Sequence, residues 1–167
     1  MITAYAIIAL VALARLIELP YSARNTSHLL ARGAIETGRG HYPFLILLHI
    51  AWLATMALAL PKHPVIHWLP LGAYVALQAL RIWIIATLGP WWTTKIITLP
   101  GMPLVKSGPY KYVRHPNYWV VVGEIAILPL VFGEVLVAIV FSILNAGTLA
   151  WRIREEDAAL ADRRVLS

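Results

Sequence analysis

The chain has 167 residues, 60 % of them apolar and 13 % charged, against roughly 45–50 % and 25 % in soluble domains. That composition excludes a disordered chain, argues against a soluble domain and places the sequence among membrane proteins. There is no cysteine, which excludes disulfides, thiolate zinc sites, iron–sulfur clusters and cysteine nucleophiles. The net charge of +6 fits basic loops facing an anionic leaflet better than it fits a nucleic-acid partner.

A membrane-spanning helix needs about 20 mostly apolar residues. The first such stretch is Ile2 to Leu19, interrupted only by Arg15 and Glu18 near its end. It lacks a basic leader and a small-residue cleavage site, so it reads as a retained span. The second is Tyr42 to Leu60 and the third Ile66 to Leu88, with Gln78 and Arg81 inside it. The apolar run from Tyr118 to Trp151 is too long for one span, and Pro129 and Gly133 break it. Two short helices in a hairpin, over 117–131 and 134–153, are expected there. The expected fold is an all-α integral membrane protein of five spans and one domain, 1–167. Residues 1–90 hold three spans; 91–167 hold a loop, the hairpin and a tail.

The basic residues test this arrangement. Arg24, Arg32 and Arg39 follow span one; Lys95, Lys106, Lys111 and Arg114 follow span three; Arg152, Arg154, Arg163 and Arg164 close the chain. Lys62 stands alone on the other side. Five spans put the three basic segments on one face, which the positive-inside rule makes cytoplasmic, with the N-terminus outside. The expected location is a bacterial inner membrane.

The segment from Trp91 to Tyr118 is neither a span nor disordered in character. Pro100-Gly101 and Gly108-Pro109 are turn signals. Residues before proline avoid the helical region, so Gly108 and His115 should be extended or in turns, while Pro116 suits the start of span four. Tyr110, Tyr112 and Tyr118 with Lys111 and Arg114 form either an interfacial aromatic belt or one wall of a site. Arg152 and Glu156, four apart, share one helical face. Glu155, Glu156 and Asp157 at a helix C-terminus oppose the macrodipole, so they form either a solvated, salt-bridged tail or a site.

Other polar residues carry weaker signals. Glu124 lies about two turns into span four, where an ionisable residue is a functional hypothesis by default; the alternative is a structural pair with Arg81 or Gln78. Arg15 and Glu18, three apart, can pair on one face. His49 and Asn145 suit interhelical hydrogen bonds. His63 and His67 are separated by Pro64 and make a poor metal pair, so no metal site is expected. No phosphate loop, HExxH or serine elbow occurs.

The run Gly108-Pro109-Tyr110-Lys111-Tyr112-Val113-Arg114-His115-Pro116-Asn117-Tyr118, then a hairpin, then Arg152-Ile153-Arg154-Glu155-Glu156, resembles the isoprenylcysteine carboxyl methyltransferase family over about residues 80–160. Trp92 to Ile97 with Leu99-Pro100-Gly101 resembles more narrowly a small bacterial branch. That branch sits beside type III polyketide synthases and O-methylates alkylresorcinols or alkylpyrones. The resemblance implies an S-adenosylmethionine-dependent membrane enzyme with a cytoplasmic cofactor pocket. It assigns the cofactor to Pro103, Leu104, Val105, Tyr110, His115, Pro116, Asn117, Tyr118 and Glu156. Lys95 falls where some members have a cofactor-contacting glutamine, and Met102 stands where a histidine is frequent. Arg152 matches an arginine assigned to the substrate.

Chemistry fills in the roles this implies. Glu156 suits a cationic or hydroxyl-bearing part of the cofactor, Arg114 and Lys95 its carboxylate, and the faces of Tyr110 and Tyr118 its adenine or sulfonium. A phenol, with a pKa near 10, gains from a base, for which His115 and Glu124 are candidates, while Arg152 would stabilise the phenolate. The short hairpin would let a lipid tail enter sideways, so the expected partners are a lipophilic small molecule and membrane lipids. A prenylcysteine carboxylate is the second substrate reading. A nicotinamide-dependent membrane reductase and a non-catalytic transporter or scaffold are the readings of other classes.

Overall fold

The computed structural model describes residues 1–161 and 163; Arg164 lies outside the described residues. Five helices carry the chain: α1 (Ile2–Ala31), α2 (Tyr42–Ala59), α3 (Trp68–Leu88), α4 (Pro116–Val131) and α5 (Val135–Ala159). All but α4 are long and apolar enough to cross a membrane. With 16 residues, α4 is about 24 Å long at 1.5 Å per residue, short of a hydrocarbon core of about 30 Å.

The outward faces of the helices are apolar. Leu13, Leu16 and Ile17 of α1, Leu47 and Ile50 of α2, Ile82 of α3, and Leu136 and Ile143 of α5 are all exposed. Inside, Ile8 and Val11 meet Leu48, Trp52 and Met56 of α2, Ile125 and Leu128 of α4, and Phe141 of α5. Lipid tails are as apolar as these side chains, so close packing and polar contacts hold the helices together. Gly123 shows the packing: a Cβ there would lie 2.7 Å from Leu77 Cδ1, so any larger residue would have to displace the Leu77 side chain between α3 and α4.

The polar contact is a cluster buried between α1, α3 and α4. Arg81 donates to Glu18 through Nε and Nη2, at 2.8 and 2.6 Å, and its Nη1 reaches Glu124 at 3.4 Å. Gln78 Nε2 donates to Glu124 at 2.7 Å, and Arg15 Nη2 donates to Gln78 Oε1 at 2.9 Å. Two guanidiniums thus balance two carboxylates. Glu124 thus contacts both Arg81 and Gln78, the partners its structural reading names.

Several boundaries differ from the sequence expectation. The helix expected to stop at Leu19 runs to Ala31 through Pro20. Proline removes one backbone hydrogen bond, but the turns beyond it are held by tertiary contacts. Ser22, Asn25 and Leu29 are buried along one face, and Asn25 Nδ2 donates to the carbonyls of Gly89 and Trp92 at 3.0 and 2.9 Å. The hairpin break at Pro129–Gly133 is as expected: Gly133 takes φ +77°, and Glu134 N donates to Pro129 O at 3.0 Å. Only α4 of that hairpin is short, because α5 continues to Ala159 and carries its buried Arg152 beyond the apolar stretch. The all-α expectation also misses a small antiparallel ribbon. Strand β1 (Ile35–Thr37) pairs with β2 (Ile96–Thr98) in the register Ile35↔Thr98, Glu36↔Ile97, Thr37↔Ile96.

Two ends follow from these connections. The links 60–67 and 132–134 share one end, where His67 N donates to Val131 O at 2.9 Å. The links 32–41 and 89–115 and the end of α5 share the other. The lone Lys62 therefore lies opposite the basic segments.

Candidate functional site

The second end contains a cavity of about 430 Å³. Trp92 lines it and packs on Ile84 and Val120 behind. One wall comes from β2 and the tryptophans before it, held from behind by α1: Thr94 N donates to Ser22 Oγ at 2.8 Å. A second wall is the stretch from Leu104 to Tyr118. There Gly108 takes φ +53°, and a Cβ would lie 2.5 Å from Thr87 Oγ1, so the turn packs directly on α3. A third wall is the end of α5 with Arg152, Glu156, Leu160 and Arg163.

The structure brings together most of the residues singled out by sequence. Lys95, Leu104, Val105, Tyr110, Arg114, His115, Asn117, Tyr118, Arg152 and Glu156 all line this one cavity. Pro103 and Pro116 do not. Pro103 offers its carbonyl to Arg163 Nη2 at 3.0 Å, and Pro116 is buried at the start of α4. Glu124 also lies off the cavity, in the cluster between α1, α3 and α4. The expectation of an extended or turn backbone holds at His115, with φ −129° and ψ 64°, which aims its ring back toward α5.

A hydrogen-bond chain organises the centre. Arg152 Nε donates to Tyr118 Oη at 2.9 Å, and Tyr118 donates in turn to Glu156 Oε2. Arg152 is 9 % exposed, and its other partner is His41 Nε2 at 3.5 Å from Nη1. Among the described residues, no carboxylate lies within ion-pair distance of it. A buried cation lining a cavity beside neutral partners favours an anion there. His115 stacks on Tyr118 at 5.2 Å, with Nε2 3.0 Å from Asp157 and Nδ1 3.6 Å from Glu156. Its hydrogen bond with Glu156 raises the His115 pKa above the ordinary 6.5, against desolvation by burial. Burial pushes the Tyr110 phenol well above the usual range.

Sequence reasoning gave Trp91, Trp92, Leu160 and Arg163 no site role, yet all four line the cavity. Trp91 lies between the guanidiniums of Arg32, at 5.4 Å, and Arg163, at 5.7 Å. Arg163 also ties the chain end to the loop, donating to Met102 O at 2.7 Å. The one available signal was the Trp91-Trp92 pair at the end of an apolar helix, which an interfacial belt explains equally well. His41 gave no signal at all.

The donor set fits S-adenosylmethionine. Asn117 Oδ1 is buried and, among the described residues, has no hydrogen-bond partner, which leaves an acceptor for a nucleoside. Two tyrosines and two tryptophans supply flat faces, and Glu156 and the lysine and arginine heads supply both signs of charge.

Comparison with known proteins agrees with this chemistry. The model of the isoprenylcysteine carboxyl methyltransferase family matches residues 68–162. An uncharacterized protein of Bacillus subtilis, YpbQ, is 39 % identical over 163 residues, covering 95 % of this chain and 97 % of that protein. An uncharacterized protein of Haemophilus influenzae is 29 % identical over 152 residues, 88 % of each chain. No solved structure matches.

Proposed function

Because the chain belongs to the isoprenylcysteine carboxyl methyltransferase family, we propose that this integral membrane protein is an S-adenosylmethionine-dependent O-methyltransferase. Its acceptor is the phenolic hydroxyl of a long-chain alkylresorcinol or alkylpyrone, and the whole chain acts as one domain. The observation that carries the reading is the buried Arg152, which lines the same cavity as Glu156 and the tyrosine-rich turn and, among the described residues, has no carboxylate within ion-pair distance.

The cofactor, when bound, supplies a methyl group on a cationic sulfur. Glu156, fixed by Tyr118, holds its hydroxyl or ammonium groups; Arg114 and Lys95 hold its carboxylate. Asn117 and the ring of Tyr110 seat the base. Pro103 and Pro116 shape the turns on which these side chains stand.

The cavity lining places Lys106, Arg114, Arg152 and Arg163 against one carboxylate, Glu156, while Lys95 is already paired with Glu36 at 3.0 Å. Such a field works against the burial that raises the Tyr110 phenol in the same cavity, and favours the ionised form of a phenol placed against Arg152. The phenol ionises on entry, its proton passes to water, and Arg152 holds the oxyanion in line. With the cofactor held by Glu156, Arg114 and Lys95, its sulfonium would supply the methyl group to the oxyanion at Arg152, the O–C bond forming as the C–S bond broke to leave a neutral thioether. In this reading neither expected base is needed. His115 faces two carboxylates and carries its proton as a donor to them, and Glu124 is engaged between α1, α3 and α4. The shortness of α4, 16 residues, supports entry of an alkyl tail from the bilayer side. The basic end is cytoplasmic, so the cofactor arrives from the cytosol, and in a bacterium the membrane is the inner one.

The same arginine suits a carboxylate, which keeps a prenylcysteine as the second acceptor. Purified protein in lipid nanodiscs, given methyl-labelled cofactor and either an alkylresorcinol, an alkylpyrone or farnesylcysteine, decides between them. A labelled aryl methyl ether is expected. Label in farnesylcysteine methyl ester alone would overturn the phenol reading. Failure of the folded protein to bind S-adenosylhomocysteine in calorimetry would overturn the cofactor assignment, and with it favour a reductase or a non-catalytic role.

A further inference from the structure

The family match starts at residue 68, yet the link between α1 and α2 delivers a side chain against Arg152, behind the cavity. His41, immediately before α2, is 1 % exposed. Its Nε2 lies 3.5 Å from Arg152 Nη1, a long contact of the kind that tightens when a site is loaded. The ring has a built seat. Trp151 meets it edge-on, with centroids 6.0 Å apart and planes at 67°. Gly38 closes the other side: its φ is +63°, and a Cβ would lie 2.8 Å from His41 Cε1 and 3.0 Å from Nδ1.

The chemistry of the seat separates a working residue from filler. Nε2 can accept from Arg152 only if the imidazole is neutral, with its proton on Nδ1. Tyr118, the other anchor of Arg152, is also neutral. A carboxylate in either place would cancel the charge that Arg152 offers an anionic ligand, whereas two neutral acceptors orient the guanidinium and leave its charge intact. Building on the O-methyltransferase reading, we infer that His41 is a positioning residue, whose neutral imidazole holds the Arg152 guanidinium toward the acceptor oxygen.

The charged groups facing His41 come from α5. Arg152 disfavours the imidazolium, as does burial; Glu155 and Glu156 favour it less strongly. From α2 the neighbouring titratable group is Tyr42. Protonation of His41 would set two cations against each other and release Arg152, so turnover should fall on the acid side.

Two variants and one measurement independent of turnover test this. His41→Gln brings an amide oxygen toward the place of Nε2 and cannot titrate; His41→Phe fills the space without an acceptor. Loss of one hydrogen bond to a charged group corresponds to about ten- to a hundredfold. His41→Phe should lose that much in kcat with the Kd for S-adenosylhomocysteine unchanged. His41→Gln should recover most of it and lack the acid limb of the wild-type profile. In the unliganded protein, NMR titration of His41 should move to higher pH on Arg152→Met. Equal turnover of the two variants, or a His41 titration indifferent to Arg152→Met, would overturn the inference. A wild-type protein that methylates no phenolic lipid but shows the Arg152-dependent titration would retire the acceptor reading and support the pair.

Discussion

Glu124 separates catalysis from architecture, and Glu124→Gln is the sharpest single test of the arrangement described above. Its carboxylate takes a hydrogen bond from Gln78 at 2.7 Å and faces Arg81 at 3.4 Å and Arg15 at 3.6 Å. The substitution keeps the shape and the contact with Gln78 but removes the charge, so Arg15 and Arg81 are left to share Glu18. Breaking a buried ion pair in a soluble protein costs about 3–5 kcal/mol. Polar contacts between membrane helices average about 0.6 kcal/mol and reach about 1.7, because the unfolded helices also find partners. With two ion pairs lost, about 2–3 kcal/mol is expected. For a chain of this size each kcal/mol shifts the midpoint by about 2–4 °C, so Tm should fall by roughly 4–12 °C. Thermal unfolding in a fixed detergent, followed by helical circular dichroism, reads that shift. The kcat measured well below Tm should stay within about twofold of wild type. A loss of tenfold or more in kcat at unchanged Tm would refute the reasoning and restore Glu124 as a base.

Other perturbations probe the site and the far end. Tyr118→Phe removes the hydroxyl between Arg152 and Glu156, and charge-assisted bonds of about 1.5–3 kcal/mol predict a ten- to hundredfold loss in kcat/KM, checked by methyl-transfer kinetics. The His115 pKa is raised in the folded protein by Glu156, so its contribution is complete below the unfolded value near 6.5 and is lost as pH rises through the higher folded value. Tm should therefore decline across that window in wild type, and His115→Gln should flatten the decline. Glu134, at the opposite end, has both carboxylate oxygens buried and, among the described residues, without a hydrogen-bond partner. Burial pushes its pKa up to about 7. The folded state then binds the extra proton, so stability falls as pH rises from 4.5 toward 7. Glu134→Gln should raise Tm at pH 8 and leave it unchanged at pH 4, by calorimetry.

What composition and local pattern determine, they determine well. Apolar runs fix α2 and α3 to within two residues at each end, because a span is a local property of about 20 consecutive residues. Pro129 and Gly133 mark the break between α4 and α5 for the same reason: a missing donor and a positive φ act where they stand. The residues of the Gly108–Tyr118 turn and of the acidic end of α5 leave a belt or a tail as open as a site; the family resemblance joins them, and the structure lines one cavity with both. Only the packed chain decided what lies between them. The first apolar run ends at Leu19, yet Ser22 reaches Thr94 across 72 residues and carries the helix on. The strands β1 and β2 are three residues each, too short for any period to register, and form only because they meet each other. Glu124 is a charge in a span by sequence, and its assignment rests on where Arg15, Gln78 and Arg81 converge. His41 and Arg152, 111 residues apart, share no local signal, since an acceptor for a guanidinium is defined by position in space and by the absence of charge around it.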